Sequence, residues 1–233
     1  MPLIGDLVAR IRRSLLESIG DVAFGMEDGA VSIAGLVFGV AMSTDDASIV
    51  LLAGATGAVA GAVSMMAGTY LDVHSERSVA NAQVERLRAR IEADPDGERE
   101  RVVTGLRQSG FTDAEAAAVS AAFARNPRAM LDHLAAFEVG LPRAGGASPR
   151  AHALWMFLAD LLAAGVPVVP FALFPIETAR VVSLVITGML MAALGIARGL
   201  IGHEPVWRTT LQTMAIAGAA ALAGIAIGRF VTR

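Results

Sequence analysis

Two side chains in the N-terminal part of the chain are suited to hold a metal ion. Asp28 and Met65 lie in successive apolar runs, which the short acidic loop 43–48 separates. If the runs are antiparallel helices, the carboxylate and the thioether lie at similar depth, beside Glu27 and Met66. This mixed hard and soft ligand set suits a first-row divalent metal such as Fe(II) or Mn(II). The carboxylate can also take a proton when the metal leaves, which allows metal–proton exchange.

Three further acids fall at or near the same path. Asp160 lies near the middle of a third apolar run, where an ionisable group is costly and commonly marks an ion pathway. We interpret it as a proton or cation relay. Asp72 and Glu76 are four residues apart at the inner end of the second run, so they share a helix face and could collect cations at its mouth.

Each of these assignments has a plainer alternative. Methionines in membrane helices commonly serve packing or face lipid, and Asp28 could cap the start of its helix. Asp160 could donate or accept a hydrogen bond to a neighbouring helix, and Asp72 with Glu76 could form a solvated helix face. These alternatives stay open at the level of sequence.

The composition predicts a polytopic membrane protein. The chain has 233 residues, of which 55% are hydrophobic, and a mean hydropathy of +0.58. A net charge of −3 does not indicate a nucleic-acid partner, and the lack of cysteine excludes disulfides and thiolate chemistry. No phosphate-binding loop and no nucleophile–base pair stands out, so we do not expect an enzyme.

The hydropathy pattern predicts an all-α fold with five membrane spans. They cover roughly residues 22–43, 49–71, 151–171, 179–201 and 210–227. Arginines concentrate before span one, between spans two and three, and between spans four and five, which puts these segments in the cytoplasm. At the outer end we expect Glu177 and Arg180 to form an ion pair. Pro167 and Pro170 should kink span three.

Glycines four residues apart predict close helix–helix packing in lipid. Three such pairs occur: Gly35 and Gly39, Gly57 and Gly61, and Gly224 and Gly228.

Two segments outside the spans have their own character. Residues 1–21 form an amphipathic stretch with Arg10, Arg12 and Arg13, typical of a helix on the inner membrane surface. Residues 74–150 have helical apolar spacing and balanced charge, so they predict a small cytoplasmic helical domain whose first helix continues span two.

Turn signals divide this inserted domain into helices. Residues 94–97 break the first helix, and a second runs to about residue 109. Thr112 and Glu115 form a capping box that opens the third helix, and Pro127 opens the fourth, which should end at Gly140. Residues 142–150 then read as a flexible tether.

Together these motifs resemble the vacuolar iron transporter (VIT) family over about residues 18–233. The resemblance rests on GLVFGV, AGATGAVAGAVSMMAGTYL, NPRAMLDHLAAFEVGL, GVPVVPFALF and AGAAALAGIAIGRF, which occur in this order. It implies a dimer of five-span protomers that exports cytosolic ferrous iron, and often manganese, in exchange for protons. It also implies a path between the protomers with Asp28 and Met65 as ligands, and no cofactor beside the transported ion.

The chain departs from the family pattern at several metal ligands. Positions that are acidic or methionine in plant-type members fall here on Gly57, Arg101, Thr104, Leu134 and Ala135. Among the ligands of the cytoplasmic domain, only Glu138 keeps its place. We therefore expect a bacterial-type member whose degenerate cytoplasmic domain binds metal weakly or not at all.

The sequence therefore predicts a homodimeric, proton-coupled Fe²⁺/Mn²⁺ transporter of the bacterial inner membrane, with the metal ion, protons and lipid as partners. Two alternatives remain. One is a membrane protein that does not transport and whose cytoplasmic domain docks a partner. The other is a transporter of the same fold with a changed cation substrate.

Overall fold

A computed structural model describes residues 2–138 and 148–231, and every regular element in these residues is a helix. The helices are α1 Pro2–Glu17, α2 Ile19–Ala41, α3 Ala47–Ala93, α4 Pro95–Gln108, α5 Asp113–Arg125, α6 Pro127–Glu138, α7 Pro149–Val168, α8 Pro170–Leu173, α9 Ile176–Gly202 and α10 Val206–Val231.

Five helices in the described residues are long and apolar enough to cross a membrane: α2, α3, α7, α9 and α10. This confirms the predicted all-α fold with five spans. The predicted span limits differ by a few residues, because a helix continues into polar sequence as long as its backbone hydrogen bonds are made. Helix α2, for example, begins at Ile19 and ends at Ala41.

The chain divides into two compact units. The membrane unit comprises Met1–Leu71 and Ala147–Arg233, and the second unit comprises Asp72–Gly146. The boundary falls within α3, which is one unbroken helix from Ala47 to Ala93, as the sequence predicts.

Helix α2 lies at the centre of the membrane unit, between α7 and α10. Toward α10, a Cβ atom at Gly39 would lie 2.8 Å from the carbonyl oxygen of Gly224, and Gly35 is equally close to the same helix. Toward α7, a Cβ atom at Gly25 would lie 2.8 Å from Met156 Sδ. Small residues four apart therefore bring both neighbours against the α2 backbone.

The predicted glycine contacts are only partly correct. The pairs on α2 and α10 pack against each other, whereas a Cβ atom at Gly61 would meet nothing within 4 Å. The pair Gly25 and Gly29, which the sequence reading did not select, makes the close contact with α7. Spacing alone does not reveal which face of a helix meets a neighbour.

Helix α3 packs on α2 and α7 through a stripe of small residues. Val50, Gly54, Ala58 and Ala62 are buried at intervals of four. Val50 and Ala58 belong to the apolar core that also contains Val37 of α2 and other residues of α2, α7, α8 and α9.

The two prolines of the third span act differently. Pro167 lies inside α7, and Pro170 opens the short helix α8. The Ser183 hydroxyl donates to the carbonyl oxygen of Pro167 at 2.7 Å, so a polar group of α9 binds the disrupted backbone. The prolines interrupt the helix at Val169, whose backbone keeps helical dihedral angles and donates to the carbonyl oxygen of Gly165, and the chain continues as α8 to Leu173.

The second unit contains the end of α3 with α4, α5 and α6. Asp94 caps α4 by accepting a hydrogen bond from the Gly97 N–H at 2.9 Å. The predicted capping box is present, since the Thr112 N–H donates to Glu115 at 2.8 Å and the Thr112 hydroxyl accepts from the Glu115 N–H. This carboxylate's pKa is lowered by the hydrogen bonds from Thr112.

Two features predicted near the end of this unit are the helix end at Gly140 and the tether over residues 142–150. The predicted helix end at Gly140 lies outside the described residues, as do residues 142–147 of the predicted tether. The rest of that tether is not a linker. Ser148 caps α7, and Pro149 and Arg150 form its first turn.

Candidate functional site

Two carboxylates meet where α2 and α7 approach most closely. Asp28 is half-buried on α2, between the buried residues Gly25 and Gly29. Asp160 of α7 is only 2% exposed. Its Oδ1 lies 2.9 Å from where a Cβ of Gly29 would be, and the two carboxylates are near enough to interact electrostatically. Helices α2 and α7 therefore bring together two acids that are more than 130 positions apart in the sequence.

The Asp160 carboxylate has no compensating partner in the part of the chain that the structure describes. No arginine or histidine pairs with it, and no N–H or O–H group donates to it. Burying an ionised carboxylate in this way is strongly unfavourable. An ionised Asp160 carboxylate is therefore not compensated by any of the described residues.

The apolar core around this acid contains soft and polar atoms. Met156 is one turn from Asp160 on α7 and is 3% exposed, while Met191 of α9 is fully buried beside Ala30 and Ala163. The hydroxyls of Thr187 and Thr213 are buried on α9 and α10 and have no hydrogen-bond partner among the described residues. The sequence does not predict a role for these side chains, because only the fold indicates which of them face inward.

Met65 and Met66 continue the packed stripe of α3. Both are half-buried, and they follow Ala58 and Ala62 at helical spacing. A Cβ of Gly54 would contact Val37, and a Cβ of Gly57 would contact Ile33, so α2 and α3 run antiparallel in a defined register. Continuing this register at about 1.5 Å per residue brings Met65 within about one turn of Asp28 along the helix axis.

Glu27 forms an ion pair with an arginine of α9. Its Oε2 lies 3.3 Å from a guanidinium nitrogen of Arg198 on α9. The predicted path residue is therefore one half of an ion pair that joins α2 to α9.

A histidine–carboxylate pair lies in the first turns of α2 and α7. His152 Nδ1 and Asp21 Oδ2 are 2.6 Å apart, and both side chains are largely buried. The sequence does not predict this pair, because the two residues are remote in the chain and neither belongs to a recognisable motif.

Arg180 anchors the loop between α2 and α3. Its guanidinium donates to the carbonyl oxygens of Ala41 and Thr44, each at 2.9 Å, and pairs with Asp45 at 3.0 Å. The predicted ion pair between Glu177 and Arg180 is therefore wrong. The loop carbonyls at the end of α2 bind the guanidinium more completely than a single neighbouring carboxylate would.

Asp72 and Glu76 are both exposed on the α3 segment of the second unit. They lie one helical turn apart, as their spacing predicts.

Arginines pair with Glu98 and Glu138 in the second unit. Glu138 accepts a hydrogen bond from Arg90 at 2.8 Å. The nearly buried Glu98 accepts from Arg101 at 2.6 Å and lies 3.5 Å from Arg90. In the described residues of both units, no group of three or more histidine, aspartate and glutamate side chains converges on a possible metal position. These contacts leave Glu138 as an ion-pair partner.

Comparison with known proteins gives a consistent match over most of the chain. The model of the VIT family matches residues 19–229. Vacuolar iron transporter 1 of Arabidopsis thaliana is 31% identical over 217 residues, which cover 92% of this chain and 86% of that protein. The vacuolar iron transporter of Centaurea cyanus is 30% identical over 215 residues, covering 91% and 87%.

A shorter match is found with vacuolar iron transporter homolog 1 of rice (Oryza sativa subsp. japonica), at 38% identity over 76 residues or 33% of each chain. The long matches cover nearly the full length of both partners, in agreement with five apolar helices. This chain is therefore an integral membrane protein that belongs to the VIT family, a family of transporters and not of enzymes.

Proposed function

We propose that this protein exports Fe²⁺ and Mn²⁺ from the cytosol in exchange for protons. The observation that carries the proposal is the pair Asp28 and Asp160, two acids in membrane-spanning helices, of which the more buried has no cationic partner among the described residues. Such a pair attracts a divalent cation and is left with excess negative charge when that cation departs. The names of the relatives support iron as one substrate.

Asp28 and Met65 are the proposed ligands of the transported ion. The α2–α3 register supports this assignment, since it brings the thioether close to the depth of the carboxylate. A hard oxygen with a soft sulfur favours Fe²⁺ or Mn²⁺ over Na⁺ or Ca²⁺. Met66 is the second thioether of this path.

Asp160 is the proposed proton carrier of the exchange. When the metal ion is bound, the positive charge of the ion compensates the negative charge of the nearby carboxylates. When the metal leaves, Asp160 or Asp28 takes a proton, so that neither buried group remains ionised without a partner. Each transport cycle would therefore couple metal release to proton uptake.

The proposed path lies between two protomers of a homodimer. Its support is a face of α2 that the other described helices cover only in part: Asp28 is half-buried, Ser32 is exposed one turn later, and Leu36 is 39% exposed. A second copy against this face would complete the coordination that a single protomer leaves open.

Sidedness completes the proposal. The N-terminus and residues 74–150 lie in the cytoplasm, and Asp72 and Glu76 collect cations at the entrance. The Glu27–Arg198 pair then lies near the cytoplasmic end of the path, and the membrane is the bacterial inner membrane. A fluorescent fusion together with protease protection of the second unit tests these assignments.

Uptake by proteoliposomes tests the proposed activity. Vesicles with an imposed pH gradient are supplied with Fe²⁺, Mn²⁺ or Co²⁺, and both metal and proton movement are recorded. We expect coupled movement for the wild type and none for Asp28→Asn, while Asp46→Asn in the exposed loop transports normally. Metal transport by Asp28→Asn would reject the assigned site, and metal movement without protons would reject the exchange.

A changed cation preference is the second candidate. It is favoured by the Arg90–Glu138 contact, which occupies a position that the family resemblance assigns to metal binding. The same uptake assay distinguishes the two candidate functions. If the substrate has changed, the protein should transport another cation, and Fe²⁺ and Mn²⁺ should not compete with that cation for transport.

A further inference from the structure

Helix α1 carries an exposed apolar stripe. Leu7 is 55% exposed, Val8 57% and Ile11 47%, and the half-buried Leu15 continues the same face. The spacing of three and four residues aligns these side chains along one side of the helix. The described residues of the protein leave this stripe largely uncovered.

The other sides of α1 are basic and solvated. Arg10, Arg12 and Arg13 are all exposed, and none of them forms an ion pair with the described residues. Asp6 and Glu17 reduce the net charge of the helix to a small positive value. The helix therefore combines an apolar side with guanidinium groups that are free to contact anions.

Contacts at its C-terminal end fix α1 to the start of the membrane helices. The Trp155 indole N–H donates to the Ser14 hydroxyl at 3.1 Å, which joins α1 to α7. Ser18 is fully buried at the junction, and α2 begins at the next residue. Helix α1 thus leads directly into the first membrane-spanning helix.

Tryptophan positions indicate the level of the membrane surface. The glycine contacts show that α2, α7 and α10 run in the same direction, so their first turns lie at one end of the membrane unit. Both tryptophans of the chain, Trp155 and the 72% exposed Trp207, lie near the starts of α7 and α10. Because tryptophan concentrates at membrane–water interfaces, this end is an interface and α1 lies at its level.

We propose that α1 is an interfacial helix that binds anionic lipid. Its stripe enters the boundary between headgroups and acyl chains, and its arginines contact lipid phosphates. A second copy of this chain or a soluble partner would also cover an apolar stripe. Lipid is favoured because the stripe, the basic residues and the tryptophans all converge on the membrane surface.

Single-cysteine labelling tests this directly, since the chain has no cysteine of its own. Full-length Val8→Cys and Ala9→Cys proteins carry an environment-sensitive fluorophore and are quenched by neutral acrylamide. They are compared in phosphatidylcholine vesicles and in vesicles that also contain phosphatidylglycerol. We expect the fluorophore at position 8 to be protected from acrylamide and the fluorophore at the neighbouring position 9 to be quenched. The protection at position 8 should be stronger in the anionic vesicles.

Replacing Arg10, Arg12 and Arg13 by Gln in the Val8→Cys protein should weaken the binding of α1 to the surface of anionic vesicles by roughly fivefold per arginine. The additional protection of position 8 in anionic vesicles should then be lost, with little change in neutral ones. Equal quenching of Val8 and Ala9 in both lipids would overturn the proposal. Protection that ignores lipid charge, or that persists in detergent and disappears on dilution, would assign the stripe to a protein partner instead.

Discussion

The acids of the two units have opposite surroundings. In the membrane unit, Asp160 is buried against the turn that carries Asp28 and has no cationic partner among the described residues. In the second unit, Glu98 is equally buried but contacts Arg90 and Arg101. The comparison teaches that burial of an acid does not by itself indicate a cation site. What matters is whether the protein supplies the positive charge.

Neutralising the membrane acid has the largest expected effect. In Asp160→Asn the carboxylate charge is lost while the shape is kept, so metal–proton exchange should fall to background and folding should be unchanged or improved. Proteoliposome transport and thermal unfolding in detergent measure the two effects. The matched Glu98→Gln variant of the second unit should keep its transport. If Asp160→Asn and Glu98→Gln lost transport equally, the proposed difference between the acids of the two units would be wrong.

Enlarging the glycine beside Asp160 tests the geometry of the pair. A Cβ in Gly29→Ala would collide with the backbone and carboxylate of Asp160, so α2 and α7 must separate. We expect a destabilisation of about 1–3 kcal/mol or more, together with weakened transport. Gly61→Ala is the control, because a Cβ there meets nothing within 4 Å. A stable, fully active Gly29→Ala protein would contradict the close approach.

Removing arginines from the second unit should make its acids resemble those of the membrane unit. The Arg90→Gln, Arg101→Gln double variant leaves Glu98 and Glu138 without their ion pairs. We expect the second unit to lose about 1–3 kcal/mol of stability, the range for leaving a buried acceptor unsatisfied. Mn²⁺ should restore part of this loss in the variant and have no effect on the wild type. Hydrogen exchange of residues 72–138 in the full chain measures both effects. Wild-type protection that rises at micromolar Mn²⁺ would show that its acids are not fully compensated.

The smallest effect concerns a solvated acid. Hydrogen bonds from Thr112 hold the pKa of Glu115 below its ordinary value, so the native state favours the ionised form. The stabilisation is complete above the ordinary pKa and is lost as the pH falls through the lowered value. In acid, the start of α5 should exchange its amide hydrogens faster, and Glu115→Gln should remove this dependence. An unchanged pH profile in Glu115→Gln would assign the dependence to another group.

The sequence was sufficient for features that depend on local order. Apolar run length predicted the five spans, and the Thr112–Glu115 spacing predicted the capping box that is present. Both depend on residues within a few turns of each other. The proposed role of Asp28 likewise came from local pattern and from the family resemblance.

Contacts between distant helices could not be predicted in the same way. The close approach of Asp160 to the helical turn that carries Asp28 depends on how α2 and α7 are rotated about their axes. It also depends on the contact that Gly25 and Gly29 of α2 make with α7, which cannot be deduced from either segment alone. The same reason explains the missed Asp21–His152 pair. It also explains the error at Arg180, whose partners in the α2–α3 loop are about 135 residues away.

Equilibrium binding of Mn²⁺ to the purified full-length protein tests the central contrast most directly. Electron paramagnetic resonance counts free and bound Mn²⁺ for the wild type, Asp28→Asn, Asp160→Asn and Glu138→Gln. The account predicts that binding is lost in both aspartate variants and unchanged in Glu138→Gln. Binding that survives in the aspartate variants and disappears in Glu138→Gln would contradict it.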